Sequence, residues 1–574
     1  MPQIALISLK CNGNYRPANP EILWTMPSLF SRFQCMMRFI HHASGTPRSR
    51  RDRAPGVRDL TCGKTGVPCG NQRWFEKPLA AMRWSGAWIF AVLIVWAAFA
   101  EGAEPSVAPN SNSRPPAPRR PNIILIVADD LGYGDLGCYG QTMFQTTNLD
   151  TLASQGIRFT DFYAGSTVCA PSRCCLMTGL NTGHAFIRGN GTQALRPEDF
   201  TVTQLLKNAG YRTGLIGKWG LGNENSTGIP GLKGFEEFAG YLDHVHAHDY
   251  YTDRLWRTDT RMGHNDWEIF PENQAGRHGI YMPDLFTKAS LNFVNINKPE
   301  AFNHYRPFFL YLAYTIPHAN NEEAKRTGNG MQVPSDEPYS DKPWPQPEKN
   351  KAAMITRMDN DIGRLMDKLK ELKIEDNTVI FFTSDNGPHK EGGVDPKFFR
   401  SAGPLRGIKR DLYEGGIRVP MIVRWPAKIK PGQVSDRVWS FWDFFPTAAG
   451  IAMAQAPTNI DGISMLPTLL GRTQTNQHDF LYWEFHERGF QQAVRMGEWK
   501  AVRPQAGEPL ELYDLKSDLG EKNNVAAQNP DVVARIETYL KTARTESKEW
   551  PIKKPEKGDP GQRSEAAAVE PGNR

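Results

Sequence analysis

The chain has 574 residues, 40% of them apolar and 23% charged, which excludes a disordered chain, a collagen and a multi-span membrane protein. Its 68 Lys and Arg against 62 Asp and Glu give a formal charge of +6, yet residues 1–100 alone hold 13 basic and 4 acidic side chains. The other 474 residues are net −3, so the basic surplus does not point to a nucleic-acid partner.

Residues 1–81 show no sustained period of helix or strand and read as a non-native N-terminal extension. Met82-Arg83-Trp84, the apolar run Ala87–Ala97 and Ala98-Phe99-Ala100 have the order of a secretory signal: a positive start, an apolar centre and an A-x-A cleavage site. That places a signal peptide at 82–100 and the true translation start at Met82. The apolar run falls short of the ~20 residues that span a bilayer as a helix. The mature protein is therefore expected to be exported, periplasmic or secreted, with no stable membrane span after cleavage. Of eight cysteines only Cys138, Cys169, Cys174 and Cys175 lie beyond the signal. Four thiols, three of them within seven residues, make no disulfide framework for a chain of this length.

Residues 101–120, rich in Pro, Ser, Asn and Arg, form a linker. Asn122–Val127 is a continuous apolar, β-branched run, the pattern of a strand buried on both faces. Thr213–Ile216, Phe308–Leu312 and Thr378–Phe382 repeat it. Between them, Thr201 and Gln204 predict a capping box with Gly210 as the stop. The spacing of Met354, Ile355, Met358, Ile362, Leu365, Met366 and Leu369 predicts a helix of about five turns. Asn321–Gln346 reads as a long surface loop. Trp442–Thr447 opens a packed helix. Near Leu470 the texture changes to short strands, Phe480–Phe485, Gln492–Arg495 and Trp499–Val502, then a helix over Asp531–Thr545. The organisation is a catalytic α/β domain at 121–470 with a mainly parallel mixed sheet flanked by helices, a smaller C-terminal α+β subdomain at 471–550 with an antiparallel sheet, and a disordered tail at 551–574.

Several buried strands end in polar residues: Asp129-Asp130, Lys218, His318, and Asp385-Asn386. Parallel strands bring such groups to one sheet edge. Three carboxylates and an amide oxygen are hard ligands that suit Ca²⁺ or Mg²⁺. In Cys169-Ala170-Pro171-Ser172-Arg173, Pro171 suits the first turn of a helix. Cys169 then faces free N–H groups, a place that binds oxyanions and activates a thiol. Cys174 and Cys175 read as small buried hydrophobes.

Cys169-Ala170-Pro171-Ser172-Arg173 with Leu176, Thr178 and Gly179 resembles the signature of the type I, formylglycine-dependent sulfatases of the alkaline phosphatase superfamily. Gly210–Trp219, Leu405–Lys409 continuing to Tyr413–Pro420, and Leu512–Leu515 with Gly520, Glu521 and Asn524 extend the likeness over about residues 121–545. The resemblance implies an alkaline-phosphatase-like fold and conversion of Cys169 to formylglycine by a formylglycine-generating enzyme, the hydrate being the nucleophile. Asp129, Asp130, Asp385 and Asn386 fall at the metal-ligand positions, usually for Ca²⁺, with residue 169 beside them. Arg173 falls where the hydrate is held, Lys218 and Lys409 where sulfate oxygens are gripped, and His318 where the leaving alcohol is assisted. The implied substrate is a sulfated glycan or a small sulfate ester.

One position departs from the family. Lys218-Trp219 is followed by Gly220, where a histidine is common. Three histidines in Asp243–Tyr250 offer a replacement, and His246 or His248 is expected to supply it. His389 is a lesser candidate for substrate contact, and His486 and Glu487 for the pocket border. Phosphonate monoester or phosphodiester hydrolysis is the alternative reaction on the same fold. An inactive sulfated-glycan-binding homologue is the alternative of another class.

Overall fold

The computed structural model describes residues 119–552. The N-terminal extension, the signal segment, most of the linker and most of the tail lie outside the described residues. Among the described residues no helix is long and apolar enough to cross a membrane.

The core is a ten-stranded sheet. Its five central strands are Thr378–Ser384, Asn122–Ala128, Phe308–Ala313, Arg212–Lys218 and Glu237–Tyr241, all parallel. The first four contain the expected apolar runs and are buried along their whole length, since packed layers cover both faces. Met421–Arg424 adds antiparallel on one side, followed by Ile157–Phe159 and Gln433–Ser435. Arg254–Asp259 and His264–Ile269 add antiparallel on the other.

Odd-numbered residues of the Asn122–Ala128 strand point into one apolar cluster and even-numbered ones into the other, as the two-residue period of a strand dictates. The helix predicted from its apolar spacing runs from Gln346 to Glu371 and lays Met354, Ile355, Met358 and Ile362 into the second cluster. Thr201 and Gln204 form the reciprocal capping box of the Val202–Asn208 helix.

The C-terminal region holds a four-stranded antiparallel sheet, Leu481–Phe485, Gln491–Met496, Trp499–Arg503 and Glu511–Asp514. Two expectations are corrected. The closing helix spans Pro530–Leu540, shorter than the polar sequence after it suggested. The segment 321–346 is no open loop: Asn321–Thr327 is helical with Asn320 capping Glu323 N–H, and Met331 is fully buried.

Candidate active site

Asp129 and Asp130 follow the end of the central Asn122–Ala128 strand, and Asp385 and Asn386 follow its parallel neighbour. The register pairs Ala128 with Ser384, so the four side chains leave the sheet together. Asp130 N–H donates to Asp385 Oδ1 at 3.1 Å. Asp130 itself sits at φ 65°, a left-handed conformation that few non-glycine residues adopt and in which aspartate is enriched. Lys218 ends the strand Arg212–Lys218. Gly217 before it has φ 109°, and the Ala313 carbonyl oxygen would lie 1.9 Å from any Cβ there. The Gly-Lys pair is thus required for the backbone to deliver the lysine.

The charges interlock. Lys218 Nζ donates to Asp129 Oδ2 at 2.6 Å and Lys409 Nζ to Asp130 Oδ2 at 2.8 Å. Arg173, fully buried, donates through Nε and Nη2 to Asp385 Oδ2 at 3.0 and 2.8 Å and through Nη1 to the Lys218 carbonyl at 2.8 Å. Burial would raise the Asp129 carboxyl, but the charges of Lys218 and Arg173 outweigh it and hold it well below its ordinary range. Asp385 is pushed up to about 7, by burial first and then by the charge of Asp129. Its guanidinium partner does not by itself offset burial and the neighbouring carboxylate.

His318 follows the Phe308–Ala313 strand. Its Nδ1–H donates to the Ala319 carbonyl at 2.7 Å, so Nε2 carries the lone pair and accepts from Lys409 Nζ at 3.0 Å. Burial and the adjacent Lys409 charge keep the ring neutral.

Cys169 is the first residue of the Cys169–Thr178 helix, and Asn190 Oδ1 accepts the N–H of Ala170 at 3.0 Å. The thiol points at Asp129 Oδ1, 3.4 Å away. Here the expectation of an activated thiol is corrected: burial and the charge of Asp129 push the thiol up, away from thiolate. The helix start does not outweigh a neighbouring carboxylate.

One ligand atom from each of Asp129, Asp130, Cys169 and His318 lies within 4.8 Å of the others, a grouping that could hold a metal ion. Asn386 Nδ2 donates to Asp130 Oδ1 at 2.6 Å, while its Oδ1 is buried with no hydrogen-bond partner among the described residues. A buried amide oxygen without a donor costs about 1–3 kcal/mol and is what a cation would satisfy.

The histidine segment divides. His246 Nε2 meets Thr252 Oγ1 at 2.6 Å, and its ring packs on Tyr241 and Trp267; none of these is a site residue. His248 stacks on His318 with ring centroids 4.8 Å apart and meets Glu322 through Nδ1 at 3.0 Å. His244, passed over in favour of these two, is lowered to about 4 by burial, then by Lys218, which sets it in the field of the site. Gly220 has φ 78° and open space where a Cβ would stand. His389 uses both ring nitrogens internally, Nδ1 accepting from Glu391 N–H and Nε2 donating to the Pro317 carbonyl, each at 3.0 Å. Sequence reasoning also missed Glu391, whose Oε2 lies 3.4 Å from Lys409 Nζ, and Tyr311, 3.4 Å from Arg173 Nη1. Glu391 had no signal beyond its place two residues after His389.

Residues 121–454 match the family model described as Sulfatase. The chain belongs to the sulfatase family. Residues 408–547 match a second model, N-sulphoglucosamine sulphohydrolase, C-terminal. The chain is 30% identical over 514 residues to N-acetylgalactosamine-6-O-sulfatase of Bacteroides thetaiotaomicron, covering 74% of this chain and 94% of that one. It is 32% identical over 470 residues to human arylsulfatase A, covering 73% and 86%. The crystal structure of Ps i-CgsB in complex with k-i-k-neocarrahexaose shares the fold with a TM-score of 0.64 at 29% identity, over 76% of this chain and 95% of that one. The fold is the alkaline-phosphatase-like one that the signatures implied. This sulfatase is an enzyme that hydrolyses sulfate esters.

Proposed function

We propose that this sulfatase is an exported, calcium-dependent hydrolase that removes sulfate from a sulfated glycan, with Cys169 matured to formylglycine by a formylglycine-generating enzyme. The observation that carries this reading is the burial, at one sheet edge, of three carboxylates, an unpartnered amide oxygen, two lysines and a cysteine at a helix start. The glycan is favoured because one relative is an N-acetylgalactosamine-6-O-sulfatase and one structural neighbour holds k-i-k-neocarrahexaose.

Asp129, Asp130, Asp385 and Asn386, with residue 169 beside them, would hold Ca²⁺, with Mg²⁺ as the alternative; a hard cation there supplies charge against the sulfate oxygens. Formylglycine at position 169 would supply, as its hydrate, the nucleophile and the second hydroxyl that lets sulfate leave. Lys218 and Lys409, at 2.6 and 2.8 Å from their carboxylates, are placed to turn to the ester oxygens once those carboxylates have another counter-charge. Arg173 fixes Asp385 and the end of the Lys218 strand at once. Lys409 Nζ carries a proton that His318 Nε2 accepts, and this pair is the source of the proton for the leaving oxygen. His248 braces the His318 ring by stacking. It, and not His246, is the better placed of the two histidines offered for the role missing at Gly220.

The test is a digest of the exported protein with mass spectrometry of the Cys169 peptide, together with turnover of aryl sulfate against aryl phosphate. The aldehyde mass with preference for the sulfate is expected. An ordinary thiol in fully active protein refutes the formylglycine reading. Preferred turnover of the phosphate refutes the reaction. A peptide from residues 1–81 in the mature protein refutes the start at Met82.

A further inference from the structure

A cavity of about 320 Å³ opens directly beside Lys409, at the lower end of the ~300–1,000 Å³ of small-ligand sites. Its walls include Lys390, Glu391, Arg410, Glu487 and Arg488, and Ile408 is its one aliphatic lining residue. Lys409 lines the cavity and also contacts His318 at 3.0 Å and Asp130 at 2.8 Å, so a group seated in the cavity would adjoin the pair assigned to the leaving oxygen. The polar walls suit a sugar.

The charges of the walls do not balance. Apart from Lys409, three cations, Lys390, Arg410 and Arg488, face two carboxylates, Glu391 and Glu487. Both carboxylates are engaged on Arg410: Glu487 Oε2 accepts from Nε at 3.0 Å and Glu391 Oε1 accepts from Nη1. Arg410 is held at φ 74°, its N–H donating to the Thr167 carbonyl at 3.1 Å. Its Nη2 makes no hydrogen bond among the described residues. Arg488 has only a longer contact, 3.5 Å to Asp411, and its side chain is 44% exposed. Lys390 is exposed. A pinned guanidinium with a spare edge and two outward cations, grouped on one wall, match the oxygens of an anion.

Resting on the sulfatase reading, we propose that this cavity seats the sugar bearing the leaving oxygen, and that Lys390, Arg410 and Arg488 bind a second anionic substituent of the glycan. That substituent is a carboxylate or a further sulfate, other than the ester that is cleaved. The substrate class is then a glycan with at least two anionic groups on the reacting sugar and its neighbour.

Calorimetry tests this directly with calcium-loaded Cys169→Ala protein, which has no nucleophile at position 169 and so reads binding without turnover. Three sugars are titrated: N-acetylgalactosamine 6-sulfate, its 4,6-disulfate, and the 6-sulfated sugar linked to a uronate. At least one two-anion sugar is expected to bind about tenfold or more tighter than the monosulfate, as charge-assisted bonds to a partly buried arginine allow. The arm that shows the gap identifies the anion. Lys390→Ala combined with Arg488→Ala should shrink the gap to about twofold and move the monosulfate affinity by less than that. Arg488→Glu, a single change at an exposed position, should reverse the preference. Equal affinities in the parent protein, a gap unchanged in the variants, a loss shared equally by all three sugars, or no binding of any of them overturns the proposal. Failure of the sulfatase reading shows separately, as absence of aryl sulfate turnover by the matured enzyme.

Discussion

Replacing Arg173 by methionine keeps a long buried side chain and removes its charge, and its cost follows from its contacts. Two of its N–H groups donate to Asp385 Oδ2 at 3.0 and 2.8 Å, and a third donates to the Lys218 carbonyl at 2.8 Å. Both partners of the ion pair have 0% side-chain exposure. The variant therefore leaves Asp385 buried beside Asp129 and Asp130 with no guanidinium on it. Hydrogen bonds to charged groups contribute about 1.5–3 kcal/mol each, and breaking a buried pair from one side costs about 3–5 kcal/mol. A loss of that size is expected in metal-free protein, measured by urea unfolding followed through tryptophan fluorescence. Calcium supplies the decisive comparison. In the wild type Arg173 already offsets part of the Asp385 charge, so an added cation has less to neutralise than in Arg173→Met. Calcium should thus raise the unfolding midpoint of the variant more than that of the wild type. A loss below about 1 kcal/mol, the range of an ordinary substitution, or a calcium shift no larger in the variant, refutes Arg173 as the counter-charge of a cation site.

Cys169→Ser should lower aryl sulfate turnover by on the order of a thousandfold or more and change stability by less than about 1 kcal/mol, since the two side chains are close in size and the thiol makes one long hydrogen bond, 3.4 Å to Asp129; turnover and thermal unfolding check both. His246→Ala should leave kcat/KM within about twofold, whereas His248→Ala should lower it about tenfold through loss of the ring stack on His318, a contact of about 0.5–1.5 kcal/mol; equal effects of the two changes contradict the assignment. Between the small sheet and the catalytic core, Lys500 Nζ lies 2.8 Å from Glu414 and 3.6 Å from Glu521, and burial, together with the Glu414 charge, pushes Glu521 up to about 7. A carboxyl raised on folding stabilises below its unfolded value of 4.5 and loses that contribution as pH rises to about 7, at about 1.4 kcal/mol per pH unit. Glu521→Gln lacks that slope, so urea unfolding at several pH values should show the wild type falling about 3 kcal/mol relative to the variant over this range; parallel curves refute it.

What the sequence showed of this fold followed from how much a residue's neighbours in the chain decide. Asn122–Val127 announced a central strand because a segment covered on both faces must be apolar throughout, and the observed strand runs to Ala128. His264–Ile269 gave no such sign: HNDWEI is polar and largely exposed, and only its pairing with Arg254–Asp259 makes it a strand. The short Met421–Arg424 strand is equally a product of its neighbours, antiparallel between two of them. The grouping of Asp129, Asp130, Asp385 and Asn386 at one sheet edge was legible, because parallel strands bring their ends together. Direction was not. The histidine run marks a segment near the site, but His246 and His248 lie in a tight turn of the backbone, where three residues complete a circle and side chains two apart face different ways.

The least legible feature is also the one that joins the parts of the site. No spacing rule links Lys218 to Asp129 or Lys409 to Asp130, positions 89 and 279 residues apart, and the sequence suggested lysines free to hold sulfate. In the structure each lysine is bound to a carboxylate that a cation would need. A buried carboxylate cannot stay charged without a counter-charge, so lysine and cation compete for the same oxygens. A cation held by Asp129 and Asp130 would supply their counter-charge, so that Lys218 and Lys409 would be able to turn to the ester, whose negative charge would favour the same arrangement. On this reading cation and sulfate affinities would be coupled with one sign: each ligand should tighten the other by the same factor, and a Lys218→Met variant, which would leave Asp129 to the cation alone, should lose sulfate affinity while binding calcium without that competition.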